Sequence, residues 1–247
     1  MSSRNALSGA QTDQRIVVSL FDHTGNMVAS WAKAGFLCYC VDLQHPIGEC
    51  RDGNIVRVGA DIQEWLPPYA AVKMLFAFPR CTHVAVSGAR WFRDKGLGSL
   101  IEALRLFDAT VRLAEWTRPP YMIENPVSTV SSHWRKPQYT FDPCDYGGYL
   151  DPPGDAYTKK ACLWTGNGFV MPRTKRVTPI EGSKMHQLRP SKERQRLRSA
   201  TPKGFAQAVF EANYEAVNNS SSSQAPDEEG SGQAETSGGF ALGRRGG

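Results

Sequence analysis

The feature that most constrains the fold is a series of short apolar runs, each halted by a proline or a polar residue. Val72 to Phe78 shows no alternation and stops at Pro79, the pattern of a strand buried on both faces of a parallel sheet. Arg15–Leu20 is short and β-branched, Phe36–Val41 runs onto Asp42, Ile55–Val58 precedes Gly59, and Tyr121–Ile123 runs onto Glu124, Asn125 and Pro126. Helical stretches lie between them. One carries Met27, Val28, Trp31 and Ala34 and stops at Gly35; a longer one carries Leu100, Ile101, Leu104, Phe107, Val111 and Ala114 at helical spacing, a core-facing stripe. Strand and helix alternating in this way predict an α/β fold, a parallel sheet with helices on both faces.

With 247 residues, 40% hydrophobic and 21% charged, the chain has the makings of one good-sized soluble domain. No apolar run is long enough to span a membrane, and Met1–Gln14 is polar, without the apolar core of a signal peptide, so a cytoplasmic protein is expected. The six cysteines read as thiols and not as a disulfide framework, and their spacing suits no structural zinc site. Residues 1–14 are expected to be a flexible N-terminus and 15–217 the domain. Beyond Asn218 the composition of Ser, Gly, Glu and Gln predicts a disordered tail, 218–247. A last helix is expected from Thr201-Pro202, threonine as cap and proline at the first position, with Phe205, Ala208, Val209 and Ala212 turned to the core.

In open α/β sheets, ligands bind beyond the carboxyl ends of the strands. Cys81 stands just past one such end, where Arg80 and His83 could favour its thiolate as a nucleophile; by position alone the small buried core residue is the reading to prefer. Phe21-Asp22-His23-Thr24-Gly25 joins the first strand to the first helix. Such a turn can offer backbone N–H groups to a ligand, or be a plain connection. Asp42, about 20 residues further on, suits the two hydroxyls of a ribose. Asp61-Ile62 puts another acid at a strand end, with helix capping as its ordinary use. Glu124 and Asn125 face the same crevice from the strand expected beside that of Cys81.

Arg90, Trp91 and Arg93 offer stacking and phosphate-contacting groups. From Val127 to Trp164 the chain is irregular and aromatic, with Thr158–Trp164 as its best strand; nine Lys and Arg follow between Arg173 and Arg198 against Glu181 and Glu193. Interleaved aromatics and a basic run suit a polyanion such as DNA, or a solvated surface.

In combination these elements resemble the cytosine-C5 DNA methyltransferase family, and its short phage-type members in particular, over most of Arg15 to Ala216. The cofactor turn corresponds to Phe21–Gly25, the ribose acid to Asp42, the Asp-Ile element to Asp61-Ile62, the Pro-Cys motif to Pro79-Arg80-Cys81 and the Glu-Asn-Val motif to Glu124-Asn125-Pro126. The phage-type members are also similar at Cys81-Thr82-His83, Ser87–Trp91 and Thr158-Lys159-Lys160. His23 stands where the family has glycine, Arg80 separates the proline from the cysteine, and Gln195-Arg196-Leu197-Arg198 matches the family's Gln-x-Arg-x-Arg loosely.

The resemblance implies a Rossmann-like sheet binding S-adenosylmethionine through Phe21, Asp22, Thr24, Gly25, Asp42, Asp61, Ile62 and Pro79. It implies Cys81, Glu124 and Asn125 as catalytic residues, and contacts to DNA from Arg90, Trp91, Lys159, Lys160, Arg196 and Arg198. About 127–198 would be a reduced DNA-contacting region. No metal is implied; oligomeric state is open, with a monomer favoured, and a phage-encoded protein would work in the host cytoplasm. Two other readings share the pattern: C5 modification of a free nucleotide or with another transferred group, and an inactive nucleic-acid-binding relative. A zinc deaminase lacks its His-x-Glu and Pro-Cys-x-x-Cys here, and Leu66-Pro67-Pro68-Tyr69 and Arg118-Pro119-Pro120-Tyr121 lack the polar first residue of an amino-methyltransferase.

Overall fold

Unbroken apolar runs can be satisfied only when both faces of a strand are covered, and that is how they are used here. The computed structural model describes residues 15–68, 72–183 and 199–219. In chain order the elements are β1 (Ile16–Leu20), α1 (Ala29–Lys33), β2 (Leu37–Val41), β3 (Gly48–Asp52), β4 (Ile55–Gly59), β5 (Val72–Ala77), α2 (Phe92–Thr117), β6 (Tyr121–Pro126), α3 (Val130–His133), β7 (Tyr139–Phe141), β8 (Ala161–Gly166) and α4 (Lys203–Asn219). The eight strands form one sheet in the order β3-β4-β2-β1-β5-β6-β8-β7. The five strands from β4 to β6 are parallel, while β3 and the β8-β7 pair run antiparallel at the two edges.

From β1 the chain winds out to β2 and β4 on one side, then returns to β5 and β6 on the other. The order therefore reverses between β1 and β5, and their carboxyl ends flank the crevice that such a reversal opens. One face of the sheet is covered by α2, through Ala103, Phe107, Leu113 and Ala114. Trp31 of α1 and Phe205, Ala208 and Val209 of α4 cover the other. Every residue of β1 and β5 is buried, as continuous apolar runs require.

Four expectations are corrected. The strand expected at Thr158–Trp164 lies at Ala161–Gly166, where it pairs with β6. In α2 the buried line runs through Ala103, Phe107, Thr110 and Ala114, and Ile101 is exposed; the helix is also kinked at Gly96, with φ 74°, before that line begins. The Ser87–Trp91 loop is a 3-10 turn, Val86–Trp91, running into α2. Finally, β3 was not expected as a strand. All five of its residues are exposed, so no burial signal marks them, and only pairing with β4 orders them.

The aromatic segment after β6 also turns out differently. Trp164 and Tyr146 are fully buried, Phe141 stacks on Phe205 at 4.0 Å between ring centroids, and Trp134 packs edge-on to Phe107 at 5.6 Å. These rings join the end of the sheet to α2 and α4, and few are left to stack on a partner. Of the basic run, Arg176 pairs with Asp145, and Lys175 lies 3.9 Å from the Tyr149 ring centroid. Arg196 and Arg198, with the rest of the run from Lys184, lie outside the described residues, as do residues 1–14 and most of the expected tail. No described helix is long and apolar enough to cross a membrane.

Candidate functional site

At the end of β1 the chain turns sharply. Phe21 sits in the left-handed region with φ 58°, and Gly25 follows with φ 71°, a conformation that favours glycine. Asp22 organises this turn from inside. Its carboxylate accepts hydrogen bonds from Ser19 Oγ (2.9 Å), Thr24 N (3.1 Å), Thr24 Oγ1 (3.0 Å) and Gly25 N (2.8 Å). A carboxylate so engaged shapes the backbone of the turn and has little left for a ligand. Asp42, at the end of neighbouring β2, is nearly buried and accepts a hydrogen bond from Gln44 N at 2.7 Å. Asp61 beyond β4 is partly buried; it accepts from Gln63 N at 2.9 Å and heads a turn through Trp65, no helix following. Ile62 is a core residue.

His23 and His45, neither singled out for a site, bridge two sides of this region. Their rings stack at 5.0 Å, and His45 Nε2 lies 3.3 Å from the Asp22 carbonyl oxygen. His23 thus lies against the loop that follows β2. Histidine spacing alone carries no signal for such a contact.

Cys81 is half-buried beyond β5, at the head of a tight turn whose Val84 N and Ala85 N donate to its carbonyl. Three sets of contacts fix this loop. Asn125 Nδ2 donates to the Pro79 carbonyl at 2.8 Å from the neighbouring β6. Residues 84–86 pair with 127–129 through Val86 N to Val127 O and Thr129 N to Val84 O, each 2.9 Å. Lys95 Nζ, from α2, donates to the Thr82 carbonyl at 2.7 Å. The cysteine loop and the Glu124-Asn125-Pro126 segment are therefore stitched together, as adjacent parallel strands ending in the same crevice allow.

Behind them lies a narrow cleft lined by Phe78, Glu124, Phe141, Lys159, Ala161, Thr201 and Phe205, among others. Glu124 and Lys159 share this cleft; Cys81 is not among the residues lining it. Burial raises the Glu124 carboxyl above its ordinary range, and the positive charge of Lys159 opposes that shift. Lys159 is placed by its backbone N, which donates to Asp142 Oδ1 at 2.7 Å. Lys160, one residue on, is exposed. Five buried polar atoms at this edge, Glu124 Oε1, Asn125 Oδ1, His83 Nδ1, Ser128 Oγ and Thr129 Oγ1, have no hydrogen-bond partner among the described residues. Unsatisfied buried groups are uncommon in folded proteins, and a cluster of them calls for an explanation.

Arg90 lies over the Trp91 ring, 5.0 Å from its centroid, and Trp91 is half-exposed on the 3-10 turn before α2. Among the described residues, no group of three or more His, Cys, Asp or Glu side chains could hold a metal ion. The sequence matches no protein-family model and no curated protein.

Proposed function

We propose that the protein is a DNA cytosine-C5 methyltransferase that uses S-adenosylmethionine. The observation carrying this reading is the stitching of the Cys81 loop to Asn125 and residues 127–129, beside Glu124, at the carboxyl edge of a doubly wound sheet. A thiol nucleophile and a carboxyl of raised proton affinity are the two groups that the chemistry needs. The turn Phe21–Gly25 supports the cofactor reading by its place: Phe21 at φ 58° and Gly25 at φ 71° turn the chain sharply at the carboxyl end of β1, and Asp42 stands at the next strand end for ribose hydroxyls. In this reading Asp22 and Asp61 shape their turns and Ile62 packs behind them.

The Cys81 thiolate adds to C6 of cytosine, forming the S–C6 bond and pushing the ring's electrons toward C5. Glu124, protonated more readily because it is desolvated, delivers a proton toward N3, so that negative charge does not accumulate on the ring. Asn125 holds the cysteine loop through the Pro79 carbonyl, and Lys159, in the same cleft, sets a positive charge against the effect of burial on Glu124. S-adenosylmethionine, when bound, supplies an electrophilic methyl group for C5. Loss of the C5 proton to solvent base, cleavage of the S–C6 bond with its electrons leaving on sulfur, and return of the N3 proton to Glu124 restore the neutral aromatic ring and free Cys81. In a duplex the cytosine must leave the stack, so Arg90, Trp91 and Lys160 are assigned to the DNA backbone and the flanking bases. Arg196 and Arg198 remain candidates for the same task.

The test is nucleoside mass spectrometry of unmodified DNA incubated with the protein and S-adenosylmethionine, beside Cys81→Ser. The expected result is 5-methylcytosine with the unsubstituted protein and none with the variant. Product from mononucleotides and not from DNA would favour free-nucleotide modification. DNA binding without cofactor binding would favour an inactive relative.

A further inference from the structure

At the edge of the sheet away from the cleft, β3 is fully exposed and, among the described residues, pairs with no strand but β4. It is joined to β4 by a two-residue turn, Gly53-Asn54, with Gly53 at φ 58°, the pattern of a type II′ hairpin. The pair flanking such a turn, Asp52 and Ile55, exchanges hydrogen bonds, and the pattern alternates along the ladder. The N–H and C=O groups of Gly48, Cys50 and Asp52 therefore point to β4, while those of Glu49 and Arg51 point outward. Open edges of this kind are pairing sites unless something blocks them.

Charge is the usual block, but here it is self-complementary. When a second copy of the strand is laid antiparallel with Cys50 on the two-fold axis, Glu49 falls opposite Arg51 of the other copy, and Arg51 opposite Glu49. Gly48 meets Asp52, and the outward backbone groups of Glu49 and Arg51 meet their like in hydrogen-bonded pairs. Both side chains lie on the face of Val56 and Val58, where their charges reach Tyr39, so the cross-strand pairs form on one side of the extended sheet. We propose that this edge is a self-association surface, a second copy of the chain adding its β3 antiparallel to make a continuous sheet across a two-fold axis. Only a few residues from each copy take part, so the dimer is a weak one that forms with concentration.

The surface lies apart from Cys81 and Glu124 and does not depend on the proposed chemistry. The test combines sedimentation velocity over a concentration series with mild diamide oxidation of the full chain, read on a non-reducing gel. In the native strand the two Cys50 side chains face each other as a non-hydrogen-bonded pair, close enough for diamide to take two electrons and join them. The account predicts a concentration-dependent dimer and a reductant-reversible covalent dimer that Cys50→Ser abolishes. Glu49→Arg or Arg51→Glu alone is expected to lower the covalent yield about tenfold, because symmetry counts each new like-charge contact twice. The double variant, with both charges exchanged, is expected to restore it. Unchanged melting temperatures confirm that these exposed substitutions leave the fold intact. A monomer at every concentration, a covalent dimer independent of Cys50, or a double variant no better than the singles would overturn the proposal.

Discussion

At the scale of single residues, burial separates the cysteines by chemistry. Desolvation pushes the thiols of Cys38, Cys40, Cys144 and Cys162 up, away from the reactive thiolate. Cys50 is exposed on the outer strand, which leaves Cys81, half-buried at the carboxyl edge of the sheet, as the thiol in position to meet a ligand. Glu124 shows the same force acting on an acid. Its proton affinity is raised by burial above the ordinary value of 4.5, so the folded chain binds a proton there more tightly than the unfolded chain does. The linked stability is fully present below that ordinary value and is lost as pH rises through the raised one. Glu124→Gln mimics the protonated form and removes the cost of an ionised buried carboxylate. The variant is expected to melt at a higher temperature than the native protein at pH 8, with the difference closing as pH falls toward 4.5. Thermal melts across that range check this, and a variant equally destabilised at every pH would contradict it.

At the scale of elements, the start of α4 ties three parts of the molecule together. Asn26, just past the first turn, donates through Nδ2 to the Thr201 carbonyl at 3.1 Å, and Gly204 N donates to Asp155 Oδ2 at 2.7 Å. Gly204 sits so close to the loop before β8 that a Cβ there would meet the Tyr146 carbonyl oxygen at 2.4 Å. Gly204→Ala must therefore displace α4 or the loop, at a cost of about 1–3 kcal/mol, read as a lowered denaturation midpoint with an unchanged slope. The buried face of this helix was legible in the spacing of Phe205, Ala208 and Val209, while its start lies one residue beyond the expected one, at Lys203, with Pro202 just before it accepting from Ala206 N. The parallel strands were legible as well, since unbroken apolar runs such as Val72–Phe78 have few other uses. What could not be read was whatever depends on contacts distant in sequence. The exposed residues of β3 carry no periodic signal, the stacking of His23 on His45 joins separate loops, and Asp22 looks like a ligand contact until its four internal hydrogen bonds are seen.

At the scale of the whole molecule, the sheet sets where chemistry can occur. Parallel strands deliver Phe21, Asp42, Cys81 and Glu124 to one edge from distant parts of the chain. The antiparallel β8-β7 pair borders that edge, and Lys159, just before β8, lines the cleft there. Sequence located these residues individually because each stands at the end of an apolar run. The aromatic segment misled, since Trp164, Tyr146 and Phe141 fill the core at the end of the sheet. On the proposed function, contacts to DNA would fall to Arg90, Trp91, Lys160 and the basic run. The central claim is that Cys81 forms a bond to C6 of cytosine that is released only when C5 loses its proton. The most direct measurement is intact-protein mass spectrometry after incubation with S-adenosylmethionine and an oligonucleotide carrying 5-fluorocytosine, whose C5 has no proton to lose. The account predicts a stable protein–oligonucleotide adduct that requires the cofactor, maps to Cys81 and is absent from Cys81→Ser. No adduct, or one carried by another cysteine, would contradict it.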